Sequence, residues 1–394
     1  MQTTPAVDGL SCTDCGTDYD PATQGRCPAC GGALAVRYDV DAAEIDRETL
    51  SARRFDGISR YADLLPFSAE TLVTAGEGAT PLVACPDLAA ELGVAEVYVK
   101  DEGHNPTGTT VDRQAAVAVA AAREQGAETV AHPTTGDSGQ SVAAYAARAG
   151  LDSEAFVPAR STFVAKAMTN VHGGEMSVEQ GRYDDVVDSF EDASADADWH
   201  SLRPFETPYR QEGAKTLLYE VVEQLDWTAP DAVVHPTGHG LGVVGSHRAT
   251  ADLRETGLVE ETPALAAAQA EGCAPVVDAH DAGAASTAVW ERPDTLIGAL
   301  EVPDPEGGTL ALDAVRETDG DAVAVTDDEA LEGAVTAAAE GVEVSATGGV
   351  GVAAAQRLAE DGALGADDTV VLVNPVAGNK ENDVLRSHLM RQGV

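Results

Sequence analysis

Three times in this chain a short apolar run gives way to a loop of small and hydroxyl residues and then to an Ala-rich helical stretch. Glu96-Val97-Tyr98-Val99 precedes the loop Asp101 to Thr110 and a helix over 112–125. Thr129-Val130-Ala131 leads through Pro133 to Gly139 into a helix over 141–149, and Ala232-Val233-Val234 leads through Pro236 to Gly242 into a helix through 244–254. Runs this short are strands, the longer stretches have helical period, and β-loop-α repeated in this order gives an α/β fold: a parallel sheet with helices on both faces. Two more strands are expected at Leu265 to Ala268 and Thr369 to Val373, whereas Asp184 to Asp198 and Pro303 to Gly308, acidic or turn-rich, read as surface connections. In such sheets ligands collect beyond the carboxyl ends of the strands, which singles out four loops: Asp101 to Thr110, Pro133 to Gly139, Pro236 to Gly242 and Asn374 to Asn379.

Ahead of this pattern stand Cys12-Thr-Asp-Cys15 and Cys27-Pro-Ala-Cys30. Each pair places two thiolates on one side of a tight turn, and two such knuckles facing each other make the closed Cys₄ tetrahedron of a structural zinc. Residues 1–38 are therefore expected to be a zinc ribbon, with Cys12, Cys15, Cys27 and Cys30 as ligands and no open coordination position for chemistry. A disulfide or redox dithiol is the competing reading. Cys85 and Cys273 are expected to be buried small apolar residues.

The charge balance excludes several partners. With 67 Asp and Glu against 24 Lys and Arg, the net charge is −43, the wrong sign for coating nucleic acid or an anionic membrane. No apolar stretch approaches membrane-spanning length, and Met1 to Gly9 lacks the features of a secretion signal, so a cytoplasmic location is expected. Only Lys100, Lys166, Lys215 and Lys380 are lysines. Scattered acids with so few lysines fit a salt-adapted, halophilic protein, because concentrated salt screens the self-repulsion.

The loops suggest anion chemistry. Thr134, Thr135, Gly136, Asp137, Ser138 and Gly139 offer hydroxyls and amides at a helix start, suited to a small carboxylate and equally to a helix cap. Gly238-His239-Gly240-Leu241-Gly242, running on to Gly245, could cradle a phosphate. Gly240 to Gly245 also spells the dinucleotide fingerprint, with Glu271 as the ribose acceptor, so a nucleotide-binding protein is one alternative. A glycine turn needed only for helix packing is another.

Taken together, several motifs resemble threonine synthase. They are Glu77-Gly-Ala-Thr80-Pro81-Leu82, Val99-Lys100-Asp101-Glu102, Asn105-Pro106-Thr107-Gly108, Tyr209-Arg210-Gln211-Glu212-Gly213-Ala214-Lys215-Thr216, Gln269-Ala-Glu271-Gly272-Cys273-Ala274-Pro275 and Gly378-Asn379-Lys380. The resemblance spans the whole chain. It implies the two-lobed tryptophan synthase β-like fold (fold type II), with three-layer αβα lobes around pyridoxal 5′-phosphate (PLP). The family reaction is a carbon–oxygen lyase step of amino-acid biosynthesis, O-phosphohomoserine to threonine, and close relatives deaminate threonine or serine. On this reading 39–394 form the PLP module, with a smaller lobe over about 95–200 and a larger one from about 39–94 and 201–394.

The same resemblance locates four departures. Val111 occupies the position of the Schiff-base lysine, and valine supplies neither the imine nitrogen nor a base. Asp137 stands where an Asn donates to the cofactor's phenolic oxygen, His239 and Leu241 flank Gly240 in the phosphate loop, and Pro375 replaces a hydroxyl partner of the pyridine nitrogen. A fold kept while its reacting groups are lost points to a pseudoenzyme that binds a small anionic or amino-acid ligand, as a homodimer or paired with an active paralogue. The alternative is an active PLP-dependent threonine synthase or amino-acid lyase with altered contacts, for which His104 and His239 are the candidate bases.

Overall fold

The computed structural model describes residues 1–43 and 45–392. Among these the strands are, in chain order, β1 (Val7–Cys12), β2 (Asp18–Tyr19), β3 (Leu34–Tyr38), β4 (Leu82–Ala84), β5 (Glu96–Asp101), β6 (Thr129–Pro133), β7 (Asp152–Pro158), β8 (Glu175–Glu179), β9 (His200–Ser201), β10 (Ala232–Pro236), β11 (Ala264–Ala270), β12 (Ala322–Val325) and β13 (Thr369–Asn374). The chain divides into two compact units, one of residues 1–79, 111–220 and 248–260, the other of 80–110, 221–247 and 261 onward.

The first unit carries an antiparallel ribbon, ordered β2-β1-β3, and a parallel sheet, ordered β8-β7-β6-β9. β6 is buried along nearly its whole length, as a strand covered on both faces must be. The Val111–Glu124 helix is buried from Asp112 to Ala122, and its alanines let neighbours come close. The closest approach is at Gly213 on the Tyr209–Gln224 helix, where a Cβ would lie 2.0 Å from the Arg113 carbonyl oxygen. Gly213 in the Glu212-Gly213-Ala214-Lys215 motif is thus a packing requirement between two helices.

The second unit is built on six strands ordered β12-β11-β10-β13-β5-β4, all parallel except the edge strand β4. Since β10, β13 and β5 are parallel neighbours, the loops that follow them emerge at the same end of the sheet. The parallel sheets and flanking helices bear out the expected α/β class. Cys85 and Cys273 are fully buried, as expected.

Two boundaries need correction. The helix expected from Ser141 begins at Asp137, because Gly136, at φ 151°, ends the loop and Asp137, Ser138 and Gly139 already form the first helical turn. Asp184 to Asp198 is not a connection throughout: Tyr183–Ser194 is a helix that buries Tyr183, Val186 and Phe190 on one face and leaves its acids on the other. Phe190 meets Phe156 edge-on at 5.6 Å. No helix among the described residues is long and apolar enough to cross a membrane.

Candidate functional site

In the second unit the loops after β5 and β13 are zipped together. Thr110 N–H donates to the Pro375 carbonyl (2.8 Å), Ala377 N–H donates to the Gly108 carbonyl (2.9 Å), and Gly108, at φ 74°, takes a left-handed conformation there. Glu102 is fully buried and accepts from Thr80 Oγ1 (2.6 Å) and Asn105 Nδ2 (2.8 Å), while Lys100 Nζ donates to the Thr80 carbonyl (2.9 Å) and Gln224 Oε1 (2.8 Å). The Thr80, Lys100-Asp101-Glu102 and Asn105 motifs are therefore mutual hydrogen-bond partners that fix this loop. His104 is mostly exposed, 3.3 Å from Asp101. Asn374 Nδ2 donates to Asp101 Oδ1 (2.8 Å), and Pro375 follows with no side-chain donor.

After β10, Gly238-His239-Gly240-Leu241-Gly242 runs into the Leu241–Glu255 helix, but its glycines face protein atoms. A Cβ on Gly240, at φ 93°, would lie 2.9 Å from the Gly307 carbonyl oxygen, one on Gly238 3.3 Å from the Ala299 oxygen, and one on Gly242 3.1 Å from His235 Nδ1. His239 Nδ1 is paired with the carboxylate of Glu306, whose side chain is 4% exposed. Leu241 is buried. Beneath the loop His235 pairs with Ser246 Oγ at 3.0 Å, and burial pushes its pKa down to about 4, so the imidazole is neutral.

In the first unit, Gly136 N–H donates to Thr134 Oγ1 (2.9 Å), and Ser161 Oγ donates to the Thr135 carbonyl (2.5 Å). Arg210 donates to Ser138 Oγ (3.1 Å), the Leu202 carbonyl (2.9 Å) and Gln114 Oε1 (3.0 Å). Ser138 Oγ also shares a hydrogen bond with His132 Nε2, 3.0 Å away. Val111 is the first residue of its helix, and that first turn is rigidly held. Asp112 accepts from Ser141 Oγ (2.6 Å), and Arg113 forms a two-pronged pair with Glu220 at 2.7 and 2.8 Å, both side chains buried.

Lys215 Nζ lies 2.7 Å from Glu212 and 2.8 Å from Asp252, over the Tyr38 ring at 4.1 Å. Burial alone would raise the Glu212 pKa, but Lys215 and Arg248 hold it below the usual carboxylate range. Lys166 donates to the Ala159 carbonyl (2.5 Å), and Lys380 is buried and likewise has an interaction partner. All four lysine amines are engaged.

In the ribbon, the four sulfurs of Cys12, Cys15, Cys27 and Cys30 lie within 4.8 Å of one another, with Cys12 to Cys30 at 3.4 Å and Cys15 to Cys27 at 3.7 Å. Sulfurs about 2.3 Å from a tetrahedral zinc stand at such separations, so this donor set could hold the ion. Gly32 is required beside it, because a Cβ there would lie 2.9 Å from Cys12 Sγ.

Glu306 was not foreseen as a site residue. It falls in the turn-rich Pro303 to Gly308 stretch, and no local pattern ties it to a histidine 67 residues away. Arg210 was visible only as part of a motif, with nothing to say that it would reach Ser138.

Comparison with known proteins agrees with this architecture. Residues 73–375 match the model for pyridoxal-phosphate dependent enzymes. The threonine synthase of Methanosarcina acetivorans is 35% identical over 313 residues, 79% of this chain and 76% of that protein, and that of Methanocaldococcus jannaschii is 33% identical over 78% and 77%. Among solved structures, diaminopropionate ammonia lyase from Escherichia coli superposes with a TM-score of 0.70 at 20% identity, covering 81% of this chain and 89% of that one. Maize serine racemase does so with a TM-score of 0.65 at 18% identity, covering 80% and 94%. With the parallel sheets, the loop motifs and these relatives in agreement, the chain belongs to the pyridoxal-phosphate-dependent enzyme family, within its threonine synthase group.

Proposed function

We propose that this chain is a threonine-synthase-like protein without PLP catalysis, a salt-adapted binding or regulatory paralogue whose ligand is a small anion or amino acid. The observation that carries the reading is Val111 at the first residue of its helix, with every lysine of the chain engaged elsewhere. The residues present do not fit covalently held PLP. An isopropyl group cannot form an imine, and the carboxylate of Asp137 repels an anionic oxygen. The glycine loop after β10 is met by the Glu306 carboxylate and the Gly307 and Ala299 carbonyl oxygens, all of the wrong sign for a phosphate. The same three groups weigh against a nucleotide at Gly238 to Gly245. What the first unit keeps is the hydroxyl-rich Thr134 to Gly139 loop at a helix start, with Arg210 donating to its Ser138, a setting that favours a carboxylate.

The test is threonine formation from O-phosphohomoserine with PLP in concentrated salt. The wild-type chain is expected to show none above background, and Val111→Lys combined with Asp137→Asn is the variant expected to gain a cofactor absorbance band. PLP-dependent turnover by the wild-type chain would overturn the proposal.

A further inference from the structure

A groove in the first unit lies away from every loop discussed so far. A cavity of about 260 Å³ and an adjoining one of about 510 Å³ share Gln24, Gln125, Trp199 and His200 as walls. The ribbon loop Thr23 to Gly25 forms one side, and the residues after the Val111–Glu124 helix form the other. The groove lies where β6 and β9 begin, with Thr129 and His200 in its lining. Thr134 to Gly139 follows the other end of β6, so the groove and the family loop occupy opposite ends of one strand.

Four side chains in this lining keep hydrogen-bonding capacity that the chain does not use. Among the described residues, the carboxamides of Gln24 and Gln125, the His200 imidazole and the Trp199 indole N–H have no side-chain hydrogen-bond partner. The sign of the groove is negative. Asp198, Glu128 and Glu206 line it, Glu206 being paired with Ser201 and, at 3.7 Å, with Arg203; no lysine or arginine is in the lining, and the carboxyl end of the Val111–Glu124 helix, the negative end of its dipole, terminates beside it. Burial lowers the His200 pKa, so its ring adds no positive charge at neutral pH and presents a lone pair as well as an N–H. Trp199 meets Phe156 edge-on at 5.9 Å, which fixes the indole as a wall and supplies an aromatic face.

We propose that this groove is a binding site for a small organic ammonium ion, with Trp199 as its aromatic wall, Asp198 and Glu128 as its counter-charges and Gln24, Gln125 and His200 as acceptors. An anion is repelled by the carboxylates, and a purely apolar ligand would leave the amides and imidazole unpaired. In concentrated salt, long-range attraction is screened, so binding rests on contact with the indole and on short hydrogen bonds. One wall belongs to the ribbon, so the ligand would bridge the ribbon and the body of the unit.

The test is isothermal titration of the full-length, zinc-supplied chain in concentrated potassium chloride, with choline and putrescine as cationic probes and acetate as the anionic control. Saturable 1:1 binding of at least one amine, with none of acetate, is expected. Trp199→Leu should weaken it about fivefold, the size of a cation–π contact. Gln24→Lys, an exposed change outside the metal set, should abolish it by placing a cation in the groove. Absence of binding by both amines, equal binding of acetate, or amine binding that Gln24→Lys leaves unchanged would overturn the proposal. Failure here leaves the catalytic reading untouched, because that reading rests on loops at other positions.

Discussion

Lys215 shows what a lysine in this chain is for, and replacing it gives the strongest structural prediction. Its side chain is 1% exposed, and its ammonium stands between the carboxylates of Glu212 and Asp252 at 2.7 and 2.8 Å. Tyr38 donates to Glu212 (2.6 Å), Tyr219 donates to Asp252, and Arg248 reaches Glu212 (3.1 Å) and the Val36 carbonyl (2.5 Å), so the cluster ties the ribbon to both long helices. Lys215→Met keeps most of the apolar stem and removes the charge. Two buried carboxylates then share Arg248 alone, and breaking a buried pair from one side costs about 3–5 kcal/mol. For a cooperative unit of roughly 200 residues, each kcal/mol is worth about 2–4 °C, so the melting temperature should fall by about 6–20 °C. The assay is thermal unfolding by far-ultraviolet circular dichroism at fixed high salt. Lys215→Met combined with Glu212→Gln should recover part of the loss, since it removes the stranded charge. A melting temperature within about 2 °C of wild type for the single variant would refute the reasoning.

Further outcomes follow from other parts of the fold. His235 is held neutral with a pKa of about 4, against an ordinary 6.5, so the unfolded chain binds its proton first. Its contribution is complete above pH 6.5 and is lost as the pH falls toward 4, a span worth about 3 kcal/mol, and His235→Gln should flatten that acid limb of stability against pH. Gly213→Ala drives a methyl into the Arg113 carbonyl and should cost about 2–3 kcal/mol by denaturant titration; an unchanged midpoint would show that the two helices are not in contact there. Elemental analysis should find one zinc per chain, lost in Cys12→Ser with a lower melting temperature, and a metal-free chain of unaltered stability would remove the ion from the account.

The parallel α/β plan was legible because strand, loop and helix each leave a local period, and the four cysteines because their spacing is itself the geometry of the knuckle. The Tyr183–Ser194 helix was obscured by its acids. In a chain this acidic, charge marks an exposed helical face as readily as a loop, and only Tyr183, Val186 and Phe190 betray the buried side. Val111 could be found by aligning motif with motif, since it sits within a run of family residues. Glu306 could not, because its partner is brought to it only by folding. The same holds for Lys215: its motif is readable in the sequence, but the ring of Glu212, Asp252, Arg248 and Tyr38 that makes it structural comes from four distant segments.

The central claim is that no lysine of this chain forms a Schiff base with the family's cofactor. Incubating the purified chain with PLP in concentrated salt, reducing with borohydride and mapping modified peptides by mass spectrometry tests it most directly. The account predicts no stoichiometric adduct on Lys100, Lys166, Lys215 or Lys380, and an adduct on residue 111 once Val111→Lys and Asp137→Asn are introduced together. A stoichiometric, site-specific adduct on any lysine of the wild-type chain would contradict it.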